Sequence, residues 1–225
     1  VLPNDYPKGA KLGTALHEIF ELMDFENYED DIESLIINSF ISYGIAINES
    51  WIEATKVMVD NVVNALLKTN DDKTFKLNEI SNANRKNEVE FSFNLLNDKL
   101  KNFCNGFVDL IFKYDNRYYI LDWKSDGLND TFTSYSNIES IKGHVDEAYS
   151  IQRVLYSYCL INYLKQFYKD LSEQEIFDKY FGGVYYIFLR GCNANTGNGV
   201  YMQTWNNYVD LRKAFDEIIK EKVGD

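Results

Sequence analysis

Prolines number only two and cysteines three in 225 residues, and no apolar run approaches the roughly 20 residues that a membrane-spanning helix requires. With twelve glycines besides, little material exists for a long flexible linker, and a collagen-like chain is excluded. Cys104, Cys159 and Cys192 are far apart, and no cysteine or histidine pair has zinc-site spacing. That excludes a disulfide scaffold, argues against a structural zinc, and fits reduced thiols in a cytoplasmic protein. The segment Val1–Pro7 has neither the basic nor the apolar stretch of a signal peptide, and it lacks an initiator Met, as expected of a piece of a longer chain. No GxxxxGK[ST] sequence occurs, so no ATP site is expected in this domain. Basic residues are also in deficit: the net charge of −12 argues against a non-specific nucleic-acid binder.

What is present suits one sizeable α/β domain. Hydrophobic residues make up 45% and charged residues 26%. Tyr and Phe, with 17 and 15 copies, read mainly as core packing. The acidity is concentrated: residues 1–60 hold 12 acidic groups against 3 basic ones, among them Asp24, Glu26, Glu29, Asp30, Asp31 and Glu33. Such a run reads as a solvated face and leaves room for a local cationic groove elsewhere.

Periodicity predicts helices over residues 13–23, over Ile32–Tyr43, and from Ser50 to about Lys68, where Ser50 to Glu53 fits a capping box. The period then changes. Glu88 to Phe93 alternates like a half-buried strand, which places Glu88 and Glu90 on one face. Residues 106–114 and 117–124 are β-rich on either side of Asp115 and Asn116, a hairpin signature. Residues 126–145 read as an irregular polar loop, Asp146 to about Tyr168 as one long helix, Gly182 to Leu189 as a buried strand, Val200 to Thr204 as a short one, and Asn206 to about Lys222 as a closing helix. The order predicts a mixed central sheet flanked by helices, with a helical N-terminal portion of about 1–70 and an α/β core of about 76–225.

One constellation carries chemistry. Asp109 sits inside an apolar strand, and Asp122 and Lys124 sit inside the next. Burying unpaired charge costs several kcal/mol, so these residues require a reason. Asp122 and Lys124, two apart, share a face. Asp109 and Asp122 are almost equidistant from the Asp115–Asn116 turn and meet across the hairpin. Paired carboxylates suit Mg²⁺ or Mn²⁺, and a neighbouring Lys can orient water or stabilise charge on a phosphate. A buried Asp–Lys ion pair with no catalytic role is the alternative.

Asp109 followed by Asp122-x-Lys124 resembles the PD-(D/E)XK nuclease signature. The wording, Gly106 to Leu110 and then Tyr118 to Ser125, is similar to the RecB branch of that family. Gly13 to Glu21 resembles its GxxxH…E helix, Gln152 and Tyr156 match its QxxxY motif, and Phe181 to Gly191 is similar to its last core strand. The resemblance runs from about residue 8 to 204. It implies a restriction-endonuclease-like fold and a single Mg²⁺-dependent DNA nuclease domain, Mn²⁺ being a possible substitute, cut from a RecBCD-type helicase–nuclease that processes DNA ends in double-strand-break repair. His17, Asp109, Asp122 and the backbone carbonyl of Trp123 would be metal ligands, and Lys124 would orient the attacking water. Gln152, Tyr156 and Tyr149 would bind DNA or brace the site. Glu21, Glu88 and Glu90 are further candidates, as a second shell or for a second metal; His144, with no motif around it, reads as polar surface. Implied partners are single-stranded or unwound DNA ends, RecC- and RecD-like subunits, and the helicase part of the parent chain. No iron–sulfur cluster is expected from three scattered cysteines, and no membrane is implied. An AddA-type or stand-alone nuclease, or an inactivated nuclease fold serving as a scaffold, are the other readings.

Overall fold

Three helices open the chain: α1 (Ala10–Leu22), α2 (Ile32–Ser42) and α3 (Glu49–Val63). The computed structural model describes residues 2–97, 100–128 and 132–223. In α1 the buried residues Leu12, Ala15, Leu16, Ile19 and Phe20 recur at three- and four-residue spacing, the apolar stripe of a helix lying on a core. The acidic block between α1 and α2 is exposed apart from Asp24, which is partly buried. The cap of α3 differs from expectation. Asn48, not Ser50, is the N-cap, its side-chain oxygen accepting from the backbone N–H groups of Ser50 and Trp51. The Ser50 hydroxyl donates to that same oxygen at 2.7 Å, so it is bound to the cap and does not act as one. Asn48→Ala is expected to cost about 1 kcal/mol. A thermal melt should register this as a fall of about 2–4 °C. Helix α3 also stops at Val63. Leu67–Lys68 is instead strand β1, paired with β2 (Thr74–Phe75) in a two-stranded sheet.

The main sheet has five strands in chain order: β3 (Arg85–Asn97), β4 (Leu100–Tyr114), β5 (Arg117–Lys124), β6 (Phe181–Phe188) and β7 (Val200–Gln203). All pairings are antiparallel except β5 with β6, so the sheet is mixed. The β4–β5 hairpin turns at Asp115 and Asn116, with φ of 45° and 62°. Two successive positive φ values are what a two-residue hairpin turn needs, and Asp and Asn tolerate them.

The parallel β5–β6 pair requires a long crossover, and here expectation and structure part. Residues 126–145 are not a loop: α4 (Phe132–Ser136) and most of α5 (Ile138–Ala148) lie there. The helix expected from Asp146 to Tyr168 is broken at Tyr149, which ends α5 and precedes α6 (Ser150–Lys165). Helix α7 (Glu173–Tyr180), closed by a capping box of Ser172 and Glu175, was not expected. After β7, α8 (Tyr208–Val223) ends the described chain. Among the described residues no helix is long and apolar enough to cross a membrane.

Strands β5 and β6 are sandwiched, and alternate residues serve the two sides. Tyr119, Leu121, Trp123, Tyr185 and Ile187 join the cluster built by α1, α2 and α3. Ile120, Val184, Tyr186 and Phe188 join the cluster built on α6, α7 and α8. By the same alternation Asp122 and Lys124 belong to the α6 side, as their partners there confirm. The alternation expected of Glu88 and Glu90 fails. Glu88 has φ of 46°, outside the strand region, and the two glutamates line different cavities.

Candidate active site

The regular β4–β5 ladder ends at Leu110 opposite Leu121. One step beyond, the Asp109 side chain stands in for a main-chain acceptor: its Oδ2 takes the backbone N–H of Trp123 at 2.8 Å. The same oxygen lies 3.5 Å from His17 Nδ1 on α1. Helix α1 packs closely on the end of β5 here: a Cβ at Gly13 would sit 2.7 Å from Ser125 Oγ. The Trp123 indole is buried on the α1 side and stacks on Phe20 at 4.5 Å between ring centres. A cleft of about 480 Å³ opens here, lined in part by His17, Glu18, Glu21, Glu88, Asp109 and Ser125.

Asp122 and Lys124 are 3% and 8% exposed, and their side chains form a direct ion pair. Gln152 of α6 completes it. Its amide N–H group donates to Asp122 Oδ1 at 2.8 Å, and its oxygen accepts from Lys124 Nζ at 3.2 Å. Its amide nitrogen also lies 2.8 Å from the Tyr156 hydroxyl, which in turn donates to the carbonyl of Phe107 at 2.6 Å. Gln152 and Tyr156, four residues apart on one helical turn, therefore tie α6 to both β4 and β5. Lys124 Nζ also lies 3.5 Å from the centre of the Tyr149 ring and 5.7 Å from that of Tyr186.

The electrostatics are those of crowded negative charge. Burial, and then the neighbouring Asp109 carboxylate, hold Asp122 above the ordinary carboxylate range against the pull of Lys124. Burial, then Asp109 and Glu21, raise Glu88 as well. For His17, burial acts to lower the pKa, but the hydrogen bond and charge of Asp109 outweigh it and the net shift is upward.

His17, Asp109, Asp122, Lys124, Gln152, Tyr156 and Tyr149 are thus brought together from α1, β4, β5, α6 and the α5–α6 junction. Glu21 and Glu88 line the same cleft. Glu90 does not; it lines a groove with Val89, Phe91, Tyr156 and Tyr163 on the α6 side. His144 is not simple polar surface: its Nε2 lies 2.9 Å from Asp126 Oδ2, and its ring packs edge-on to Tyr149 and Phe188. Asp126 and Arg190 carry no role of their own in the sequence, although Arg190 lies within the Phe181–Gly191 segment. Arg190 donates to the carbonyls of Ser125 and Pro7, each at 2.9 Å, and clamps the segment leaving β5. An Arg directly after an apolar strand was the available signal.

Over 229 aligned residues the chain is 28% identical to the RecBCD enzyme subunit RecB of Escherichia coli (strain K12), covering 88% of this chain and 18% of that one. The chain is similar to RecB over most of its own length. The RecB of Buchnera aphidicola subsp. Acyrthosiphon pisum is 27% identical over 93% of the chain and 19% of its own length. That of Chlamydia pneumoniae is 30% identical over 87% of the chain and 17% of its own. The chain spans less than a fifth of the length of these curated relatives. No protein-family model matches it. The RecB-like chain has the α/β architecture its motifs implied: a restriction-endonuclease-like core with a mixed five-stranded sheet and a helical N-terminal portion.

Proposed function

We propose that this chain is a single metal-dependent nuclease domain that hydrolyses DNA phosphodiester bonds, within a RecBCD-type helicase–nuclease that processes DNA ends in repair. The observation that carries this reading is the meeting of Asp109, Asp122 and Lys124 at the end of the β4–β5 ladder, with Gln152 bridging Asp122 and Lys124. The whole-enzyme activity, of the exodeoxyribonuclease V type, and the RecC- and RecD-like partners follow from the RecB relatives and belong to this proposal.

The donor set fits a divalent cation. The Asp109 carboxylate raises the cost of charging Asp122, and hard carboxylate oxygens with one imidazole suit Mg²⁺, with Mn²⁺ accepted because of the nitrogen donor. Among the described residues no three His, Cys, Asp or Glu side chains are arranged as a finished cage. Lys124 occupies Asp122, and the Trp123 N–H occupies Asp109. Asp109, Asp122 and His17 would hold the ion, with the Trp123 carbonyl as the expected backbone ligand. When bound, the ion supplies Lewis-acid polarisation of the phosphate and lowers the pKa of the attacking water.

The remaining steps belong to side chains. Lys124, released from Asp122, orients the water and balances charge that accumulates on the phosphoryl oxygens in the transition state. Gln152 holds Asp122 in place through its N–H group and guides Lys124 through its oxygen, and Tyr156 fixes Gln152. The chain's net charge of −12 is tolerable where a helicase feeds the strand to the site at high local concentration.

The test is cleavage of a linear single-stranded oligonucleotide with Mg²⁺, Mn²⁺ or EDTA. Metal-dependent cleavage that disappears in Asp109→Ala and Asp122→Ala is the expected result. A wild type that neither cleaves nor is stabilised by either metal would overturn the reading and favour a scaffold role.

A further inference from the structure

Asp126 and His144 have no place in the chemistry above, yet they stand in a chain that ends on Lys124. One carboxylate oxygen, Asp126 Oδ2, accepts the Tyr149 hydroxyl at 3.0 Å and lies 2.9 Å from His144 Nε2. A carboxylate only accepts, so Nε2 is the protonated ring nitrogen of His144. The His144 ring is fixed in turn, edge-on to Phe188 at 5.9 Å and to Tyr149 at 5.6 Å. Tyr149 stacks on Tyr186, with 5.9 Å between centres and 20° between planes. The Tyr149 ring centre lies 3.5 Å from the Lys124 ammonium, which is also 5.7 Å from the centre of the Tyr186 ring.

We infer that His144 and Asp126 are positioning residues that act through the Tyr149 ring to hold Lys124. The inference rests on the nuclease reading for the use of Lys124, though not for its placement. The break at Tyr149 between α5 and α6 is what the arrangement requires. A continuous helix would carry the ring round with the helical face, whereas here its backbone sits at φ −127° and ψ 11°, outside helical geometry. An ammonium over an aromatic face is attracted by the ring quadrupole, more so when both are shielded from water. Among the described residues Lys124 otherwise has Asp122, Gln152 and, farther off, the Tyr186 ring. When a cation takes Asp122, the Tyr149 face and Gln152 are the nearest contacts left to keep the amine from swinging away. Asp126 and His144 set the tilt of that face, because the hydroxyl is the only polar handle on the ring.

The assay has two readouts on the purified chain. The first is the NMR shift of the Lys124 ε-methylene, assigned by its loss in Lys124→Arg. A ring lying beneath it moves the resonance upfield from its free-lysine position. Tyr149→Phe keeps the face and most of the shift; Tyr149→Leu removes it; Asp126→Ala and His144→Ala reduce it. The second is single-turnover cleavage at saturating strand. Tyr149→Leu is expected to slow it about 10- to 100-fold, and Asp126→Ala or His144→Ala about 3- to 10-fold, with strand affinity unchanged. In the Tyr149→Leu background the latter two should add almost nothing, as groups acting through one ring must. Asp126→Asn, which keeps the shape and an acceptor oxygen, guards against a variant that merely unfolds. A wild-type Lys124 resonance at the free-lysine position, or effects of Asp126 and Tyr149 that multiply in full, would overturn the inference. An upfield shift in a protein that cleaves nothing would uphold the positioning and overturn the nuclease reading instead.

Discussion

Lys124→Ala is expected to lower single-turnover strand cleavage by about 10³-fold while enlarging the thermal stabilisation that Mn²⁺ provides. Both parts follow from one contact. The Lys124 ammonium sits directly on Asp122, an oxygen pair that a metal ion would also claim. Removing the amine removes the competitor and leaves Asp122 close to the Asp109 carboxylate without its own counter-charge. A cation then gains more by binding, and at 100 times its Kd it adds about 2.7 kcal/mol to folding stability. Asp122→Ala should behave oppositely. Cleavage and metal stabilisation both disappear, and the metal-free protein itself loses about 3–5 kcal/mol, because a buried ammonium is left without its carboxylate. Thermal melts with and without Mn²⁺, beside single-turnover rates, separate the two. Lys124→Ala with intact cleavage, or with metal stabilisation lost, would refute this division of labour.

Gly182→Ala is expected to destabilise the fold by about 3 kcal/mol, at the upper end for overpacking a core. Strand β6 passes the Tyr119 ring so closely that a Cβ at residue 182 would lie 2.2 Å from one ring carbon and 2.4 Å from another. That ring has nowhere to go. It is 1% exposed and stacked on Phe112 at 5.3 Å, inside an aromatic group with Phe75 and Tyr185. The strand must therefore shift, and it is the partner of β5 through Lys124. For a chain of this size the loss corresponds to a melting point about 6–12 °C lower. Gly143→Ala is the control: within α5, with nothing inside 4 Å of the added carbon, it should stabilise by about 0.5–1 kcal/mol. Equilibrium unfolding in guanidinium measures both, and equal effects from the two would refute the steric argument.

The site was legible where its residues break a local pattern. Asp109, Asp122 and Lys124 stand out because charge interrupts apolar strands, and the Asp115–Asn116 turn fixes which residues meet across the hairpin. The β6 strand was legible as an unbroken apolar run, which matches a strand buried on both faces. What was not legible depends on partners distant in sequence. Helix α5 buries only Ile141 and Val145, too few to set a period among polar neighbours. The break at Tyr149 has no proline or glycine to announce it; the ring is held by Tyr186, Lys124 and Asp126, contributed by other elements. His144 reads as surface until its partner, eighteen residues earlier, is placed beside it. The cap of α3 lies two residues before the one the sequence pattern suggests, because Ser50 and Asn48 are both competent caps and the choice is made by geometry. The alternation of residues 88–93 puts Glu88 on the strand face of Glu90, and its positive φ takes it off that face.

The Gln152 bridge has a consequence for when the site comes into being. It joins a helix of the crossover to a strand laid down some thirty residues earlier, and the His17–Asp109 contact spans a still longer stretch of chain. Contacts so remote in sequence form late, after the loops between them have been closed at an entropic cost. A nascent or partly folded chain can hold the β4–β5 hairpin with both aspartates in register, and still lack the α6 amide and the α1 imidazole. On the nuclease reading, the geometry that hydrolysis needs is therefore completed only once these long-range contacts are in place.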